Sequence, residues 1–214
     1  MQGRCATIVG LIALAACGSS AGKTAPGTTN AGPLPAVCGP AGARTLAVDR
    51  AARAYQSGSG VYGCSAAARR SYLLGASARS IREGRAGPIA LAGSDVAYGY
   101  TRFGIDTVSA QVVVRDLASG KQLHSEPATS RPLGPEFFQS VATVVVKPDG
   151  AVAWIGDGGS IIAGRTRDIE VDRAEARGFA LLESGAGIDA RSLRLRGSTL
   201  TWRDGARTRS ARLD

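Results

Sequence analysis

Short apolar runs of a few residues, broken by turn residues, recur from about residue 44 to the end of the chain. One unit appears four times: a short run, a tight polar turn, and a second run that ends on an aromatic residue. Leu46-Ala47-Val48 leads through Asp49-Arg50 to Ala52–Tyr55. Ile89-Ala90-Leu91 leads through Gly93-Ser94-Asp95 to Val96-Ala97-Tyr98. Val144-Val145-Val146 leads through Lys147-Pro148-Asp149-Gly150 to Val152-Ala153-Trp154, and Leu193-Arg194-Leu195 through Gly197-Ser198 to Leu200-Thr201-Trp202. Runs this short, with turn signals this close, predict β-hairpins. A second hairpin follows in three copies, through Val61–Cys64 and Tyr72–Gly75, Gln111–Asp116 and Lys121–Ser125, and Asp168–Asp172 and Gly178–Glu183. The last copy lacks an outer strand. Two segments also admit helix: Ala66–Arg85, which is Ala-rich with Leu73, Leu74 and Ile81, and Pro135–Ser140, where proline suits a first turn.

The aromatic ends Tyr55, Tyr98, Trp154 and Trp202 recur every 40 to 55 residues or so, close to the ~40–50 residues of a four-stranded propeller blade. Two phrases carry a family resemblance, KPDGAVAWIG at 147–156 and VVVRDLASGKQLHS at 112–125. They are similar to the two halves of blades in the TolB-type and WD40-like β-propeller repeats, and the likeness covers most of residues 44–214. It implies an all-β, antiparallel, propeller-like domain of about four blades. Only one copy has Pro-Asp-Gly, and an open repeat array or a β-sandwich fits the same pattern. Since one blade cannot cover both faces of its sheet, its neighbours must stack on it. The four aromatics are then core residues filling one recurring slot, each burying ~150–250 Å².

The N-terminus decides the expected compartment. Arg4 supplies a positive n-region, and Cys5–Ala16 form an uncharged apolar run, too short to span a ~30 Å hydrocarbon core but suited to a signal peptide. Leu14-Ala15-Ala16-Cys17, followed by Gly18-Ser19-Ser20, resembles the lipobox of bacterial lipoproteins, in which the cysteine is lipidated and becomes the mature N-terminus. The competing site is cleavage after Ala13-Leu14-Ala15, which would leave Cys17, Cys38 and Cys64 as an odd number of thiols in an oxidising compartment. Lipidation of Cys17 leaves a single pair, so a Cys38–Cys64 disulfide is expected, worth roughly 3 kcal/mol from loop-closure entropy. The expected organisation is a signal peptide over 1–16, a Gly/Pro/Ser/Thr/Ala-rich tether over 17–37, and the β domain over 38–214. The tether contains a G-x-S-x-G and a near P-loop at 18–24, but neither has the strand before it or the helix after it that its chemistry needs.

Charge changes the picture little. The formal charge is +9, almost all of the excess from arginine, which a GC-rich codon usage produces without selection for nucleic acid. Anionic lipid headgroups, an envelope protein or an anionic envelope polymer are the expected partners, together with the membrane through the N-terminal lipid; no nucleic acid is expected. Arg194 and Arg196 lie two apart in one predicted strand and Arg207 and Arg209 two apart in the next, which offers a possible anion-binding surface. The same charges also serve as protection of a sheet edge. Residues 165–177 mix both signs and nearly cancel.

Catalytic chemistry is thin. His124 is the one histidine, and it falls in a predicted outer strand; His- or thiolate-based metal sites are excluded by composition. Asp106, Asp149 and Asp157 lie near turns, where aspartate ordinarily bonds the backbone, although such oxygens also suit Ca²⁺. Glu126, Glu136, Glu170 and Glu183 are ordinary solvated candidates. No catalytic residue and no cofactor is expected. The sequence therefore reads as a membrane-anchored extracytoplasmic binding or scaffold module, with ligand loops at 99–110 and 155–167. The rival reading is an envelope carbohydrate hydrolase using carboxylates from those loops.

Overall fold

Each turn signal closes an antiparallel hairpin, and the hairpins fall into sets. In the computed structural model, which describes residues 38–79, 82–130, 136–160 and 167–214, all regular structure is β-strand. The leader, the tether, Cys17 and residues 161–166 lie outside the described residues. The first set is β1 (Arg44–Val48), β2 (Ala52–Ser57), β3 (Gly60–Ser65) and β4 (Arg70–Ala76). The second is β5 (Arg85–Ala92), β6 (Asp95–Phe103), β7 (Val108–Asp116) and β8 (Gln122–Pro127). The third is β9 (Phe137–Val146), β10 (Val152–Ser160), β11 (Arg167–Glu175) and β12 (Gly178–Ser184). The last set has three strands, β13 (Arg194–Arg196), β14 (Thr199–Asp204) and β15 (Arg207–Arg212).

Within a set every pairing is antiparallel between neighbours in sequence. Between sets the pairing thins to a single parallel pair. Ala76 meets Arg85 where β4 joins β5, and Val108 meets Phe138 where β7 joins β9. The first twelve strands are thus one mixed sheet by hydrogen bonding but three four-stranded meanders by construction. The sheet does not close on itself, and β13–β15 form a sheet of their own. The first strands of successive sets touch in order, β1 with β5, β5 with β9, and β9 with β13.

Period-two alternation explains how the sets stack. In β6, Val96 and Tyr98 join Ala52, Val61 and Leu74 of the first set, while Ala97 on the other face joins the third. In β10, Val152 and Trp154 join Val112 and Val114 of the second set, while Ala153 and Ile155 join Leu193, Leu200 and Trp202 of the last. A middle set is therefore apolar on both faces, as a doubly covered sheet must be. Hairpin tips add polar ties between sets. Asp49 Oδ2 accepts from the Gly93 amide at 2.6 Å, and Lys147 Nζ donates to the Leu213 carbonyl at 3.2 Å.

Three local expectations need correction. Residues 99–110 are mostly strand: β6 continues to Phe103 and β7 begins at Val108, pairing residue by residue up to Phe103–Val108. Residues 155–160 are likewise strand, despite Gly156, Gly158 and Gly159. Their glycines serve a crossing. The segment after β8 passes over β10 so closely that a Cβ on Gly156 would run into the Ala128 carbonyl. Neither helical option is taken up. Residues 70–76 form β4, and Phe137–Ser140 are extended along β10, with Phe138 opposite Gly159.

Candidate functional site

The site begins with two neighbouring strands. On one face of β6 stand Val96, Tyr98, Tyr100 and Arg102, and on β7 Arg115 pairs with Val96, Val113 with Tyr98 and Gln111 with Tyr100. Gln122 of β8 follows across from Arg115. The face looks toward the first set, whose Leu73, Leu74 and Gly75 of β4 form the other wall. Arg82 and Glu83, ahead of β5, edge the opening. Together these residues line a cleft of about 300 Å³, at the lower end of the ~300–1,000 Å³ usual for ligand sites.

Three guanidinium groups and one carboxylate line it, so the cleft is positive. Among the described residues no ion pair joins Arg82, Arg102 or Arg115. Arg115 lies deepest. Its Nη1 donates to the Gly120 carbonyl at 3.1 Å, its side chain lies beside the Tyr98 hydroxyl, and its Cζ lies 5.8 Å from the Tyr72 ring centroid. Its Nε is buried with no hydrogen-bond partner. Burial pushes the Tyr98 hydroxyl above its ordinary pKa, against the opposing pull of Arg115, so it stays a neutral phenol. Tyr100 is fixed by the Gly84 amide, which donates to its hydroxyl at 3.1 Å, and Arg102 lies 5.5 Å over its ring. The arrangement offers planar donor forks beside an aromatic ring, the chemistry of oxyanion recognition. A second cavity, of about 330 Å³, lies between β1 and β5 over Leu46, Val61, Pro88 and Ile89; among its lining residues only Arg44 is charged.

Apart from Tyr98, the residues singled out from sequence fall elsewhere. Cys38 and Cys64 are joined in a disulfide. Tyr55, Tyr98, Trp154 and Trp202 each lie in the second strand of their set and are 3, 4, 0 and 4 % exposed. The four-arginine surface is not assembled. The β14–β15 register sets Arg207 opposite Asp204 and Arg209 opposite Trp202, on the face that packs inward, whereas Arg194 pairs with Thr201 and Arg196 with Thr199 on the other face. Arg209 is moreover held by Glu183 at 3.1 Å and Asp204 at 3.8 Å. Spacing within each strand was legible, but only the register between strands says which pairs share a face.

Several of the carboxylates are likewise occupied or enclosed. Asp149 accepts from the Ala151 amide and pairs with Lys147 at 3.2 Å, which holds it below its ordinary pKa despite some burial. Asp157 pairs with Arg167, and Glu183 accepts from the Trp202 indole. Asp106 and Glu136 are exposed in turns, and Glu126 and His124 lie half-buried on β8. Glu170 accepts from the Ser130 amide and hydroxyl at 2.6 and 3.0 Å. Asp172, two residues on along the same face of β11, is 0 % exposed, and neither carboxyl oxygen has a hydrogen-bond partner. Burial, with Glu170 nearby, pushes its pKa up to about 8. This neighbouring acid pair is sealed from solvent at Asp172, so it does not open onto a substrate. Among the described residues no three His, Cys, Asp or Glu side chains gather as a metal site.

Sequence reasoning passed over Arg82, Arg102, Arg115 and Tyr100. Their signal was the alternation in Tyr98-Gly99-Tyr100-Thr101-Arg102, matched by Gln111-Val112-Val113-Val114-Arg115 one hairpin arm later. No family model matches the chain, and no curated protein is significantly similar to it.

Proposed function

We propose that this protein is a binding module, lipid-anchored outside the cytoplasm, that holds an anionic ligand in the cleft between its first two strand sets. The observation that carries the reading is Arg115: a half-buried cation without an acidic partner, whose Nε is buried and unbonded. A guanidinium left in that state costs on the order of 1–3 kcal/mol, which an oxyanion in the cleft would recover.

The lipobox-like Leu14–Cys17 and a disulfide-bonded domain both suit an oxidising compartment reached by export. Four successive sets whose first strands touch in order suit an open, propeller-like stack. The partners are then the membrane, through the lipid on Cys17, and an anionic polymer or small acid. Thermal melts of the full chain in a panel of inorganic and organic anions test the site. A saturable rise in Tm that Arg115→Gln abolishes is expected; no shift with any anion would refute it. Membrane fractionation of a Cys17→Ala variant tests the anchor, with release into the soluble fraction expected.

A further inference from the structure

We infer that the anion is the carboxylate of an acidic sugar, a hexuronate-type ring bearing hydroxyls as well as the acid. This rests on the reading of the cleft as an anion site and adds the ligand's class. A sulfate brings charge and acceptors only, and a hydrogen phosphate carries its one or two O–H groups on the charged centre itself. The cleft carries further acceptors beside its cations, which suit a ligand whose O–H groups are spread over a larger frame. Gln122 stands exposed across from Arg115 with both a carbonyl and an NH₂, and the Tyr100 hydroxyl, which accepts from Gly84, keeps its proton to donate and a second lone pair to accept. Gln111 has its carbonyl engaged by Ser125 at 3.4 Å, leaving its NH₂ to donate.

A ligand that satisfies this set has one carboxylate for Arg115 and several O–H groups for Gln122 and Tyr100, with Arg102 adding positive charge further along the cleft. Its ring also needs a face to lie against Leu73, which is 48 % exposed, beside Tyr100. A volume near 300 Å³ suits a small ligand or one unit of a chain, and the cleft opens between two sets, so either can enter.

Calorimetric titration of the full chain with glucuronate, glucose, inorganic phosphate and an N-acetylated dipeptide tests this. Glucuronate should bind at least about tenfold more tightly than the other three, since each lacks one half of the matched set. Gln122→Leu should weaken glucuronate about fivefold and leave phosphate unchanged. Arg102→Gln, exposed and therefore safe for folding, should weaken both. An oligouronate binding more tightly than glucuronate identifies a polymer as the source, and equal affinity a free sugar acid; both support the inference. Phosphate or the dipeptide binding as tightly as glucuronate, or Gln122→Leu affecting phosphate and glucuronate alike, overturns it while leaving the anion site intact. Binding of nothing overturns both.

Discussion

The two ends of the stack meet the same physical problem in different ways. Each end set has one face against a neighbour and, among the described residues, one with no set beyond it. At the N-terminal end that outer face carries Arg53, Tyr55, Tyr62 and Cys64, an aromatic surface with Tyr55 and Tyr62 stacked at 5.5 Å. Residues 38–43 lie across it as a strap. The disulfide ties Cys38 to Cys64, and Arg53 donates to the carbonyls of Cys38 and Ala43 and, at 2.9 Å, to the Thr45 hydroxyl. Gly39 comes so close to the Tyr55 ring that a Cβ there would stand 2.7 Å from it. At the C-terminal end the outer face is made by Arg194, Arg196, Thr199, Thr201, Arg203, Thr208, Ser210 and Arg212, polar throughout and needing no cover. A stack of sheets can end by strapping down an apolar face or by writing the last face in polar residues. This chain does one at each end.

The middle sets the scale for testing that comparison. Trp154, fully buried between the second and third sets with its indole donating to the Ala128 carbonyl at 3.0 Å, has no substitute cover. Trp154→Ala should cost about 3–5 kcal/mol in denaturant unfolding, more than any change at either end. If an end substitution costs as much, the two ends are not independent of the core.

The strap comes next. Cys38→Ser should lose about 3 kcal/mol, the loop-closure entropy of a 26-residue separation, with Tyr55 becoming accessible to quenchers. Unchanged stability would mean that Arg53 alone holds the strap.

Asp172 tests the middle by pH. Its pKa is raised to about 8 in the fold, against about 4 in the unfolded chain, so the folded state binds the extra proton between those values. Its contribution is fully present below pH 4 and is lost as pH rises toward 8. Asp172→Asn should therefore stabilise the protein by about 1–3 kcal/mol near pH 8, and by little at pH 4. A stability difference independent of pH would show that the carboxyl is ionised when buried.

The smallest effect belongs to the polar end. Arg196→Thr, on an exposed face beside Thr199, should change stability by less than about 0.5 kcal/mol. A larger loss would mean that this face is covered after all.

Much of the strand pattern was legible because alternation and turn chemistry are local. The Pro148-Asp149-Gly150 turn, with Gly150 at a φ of +82°, is written into three adjacent residues. Local signals also misled. Gly156, Gly158 and Gly159 look like a loop, yet they are strand, and the segment that needs the missing side chain of Gly156 comes from Ala128 and Thr129. The cleft was hidden for a similar reason. Arg82, Arg102 and Arg115 carry no shared motif, and they line one cleft only because β6, β7 and the approach to β5 lie side by side.

The sequence by itself determined the all-β class, most of the strands and the grouping of hairpins, and it led to the expected Cys38–Cys64 pairing, since each depends on near neighbours or on simple counting. Tertiary structure alone decided which arginines share a face, which carboxyl is sealed away and where a cleft opens. Those depend on register and on the packing of one sheet against another, and a shift of one residue in register turns every side chain to the opposite face.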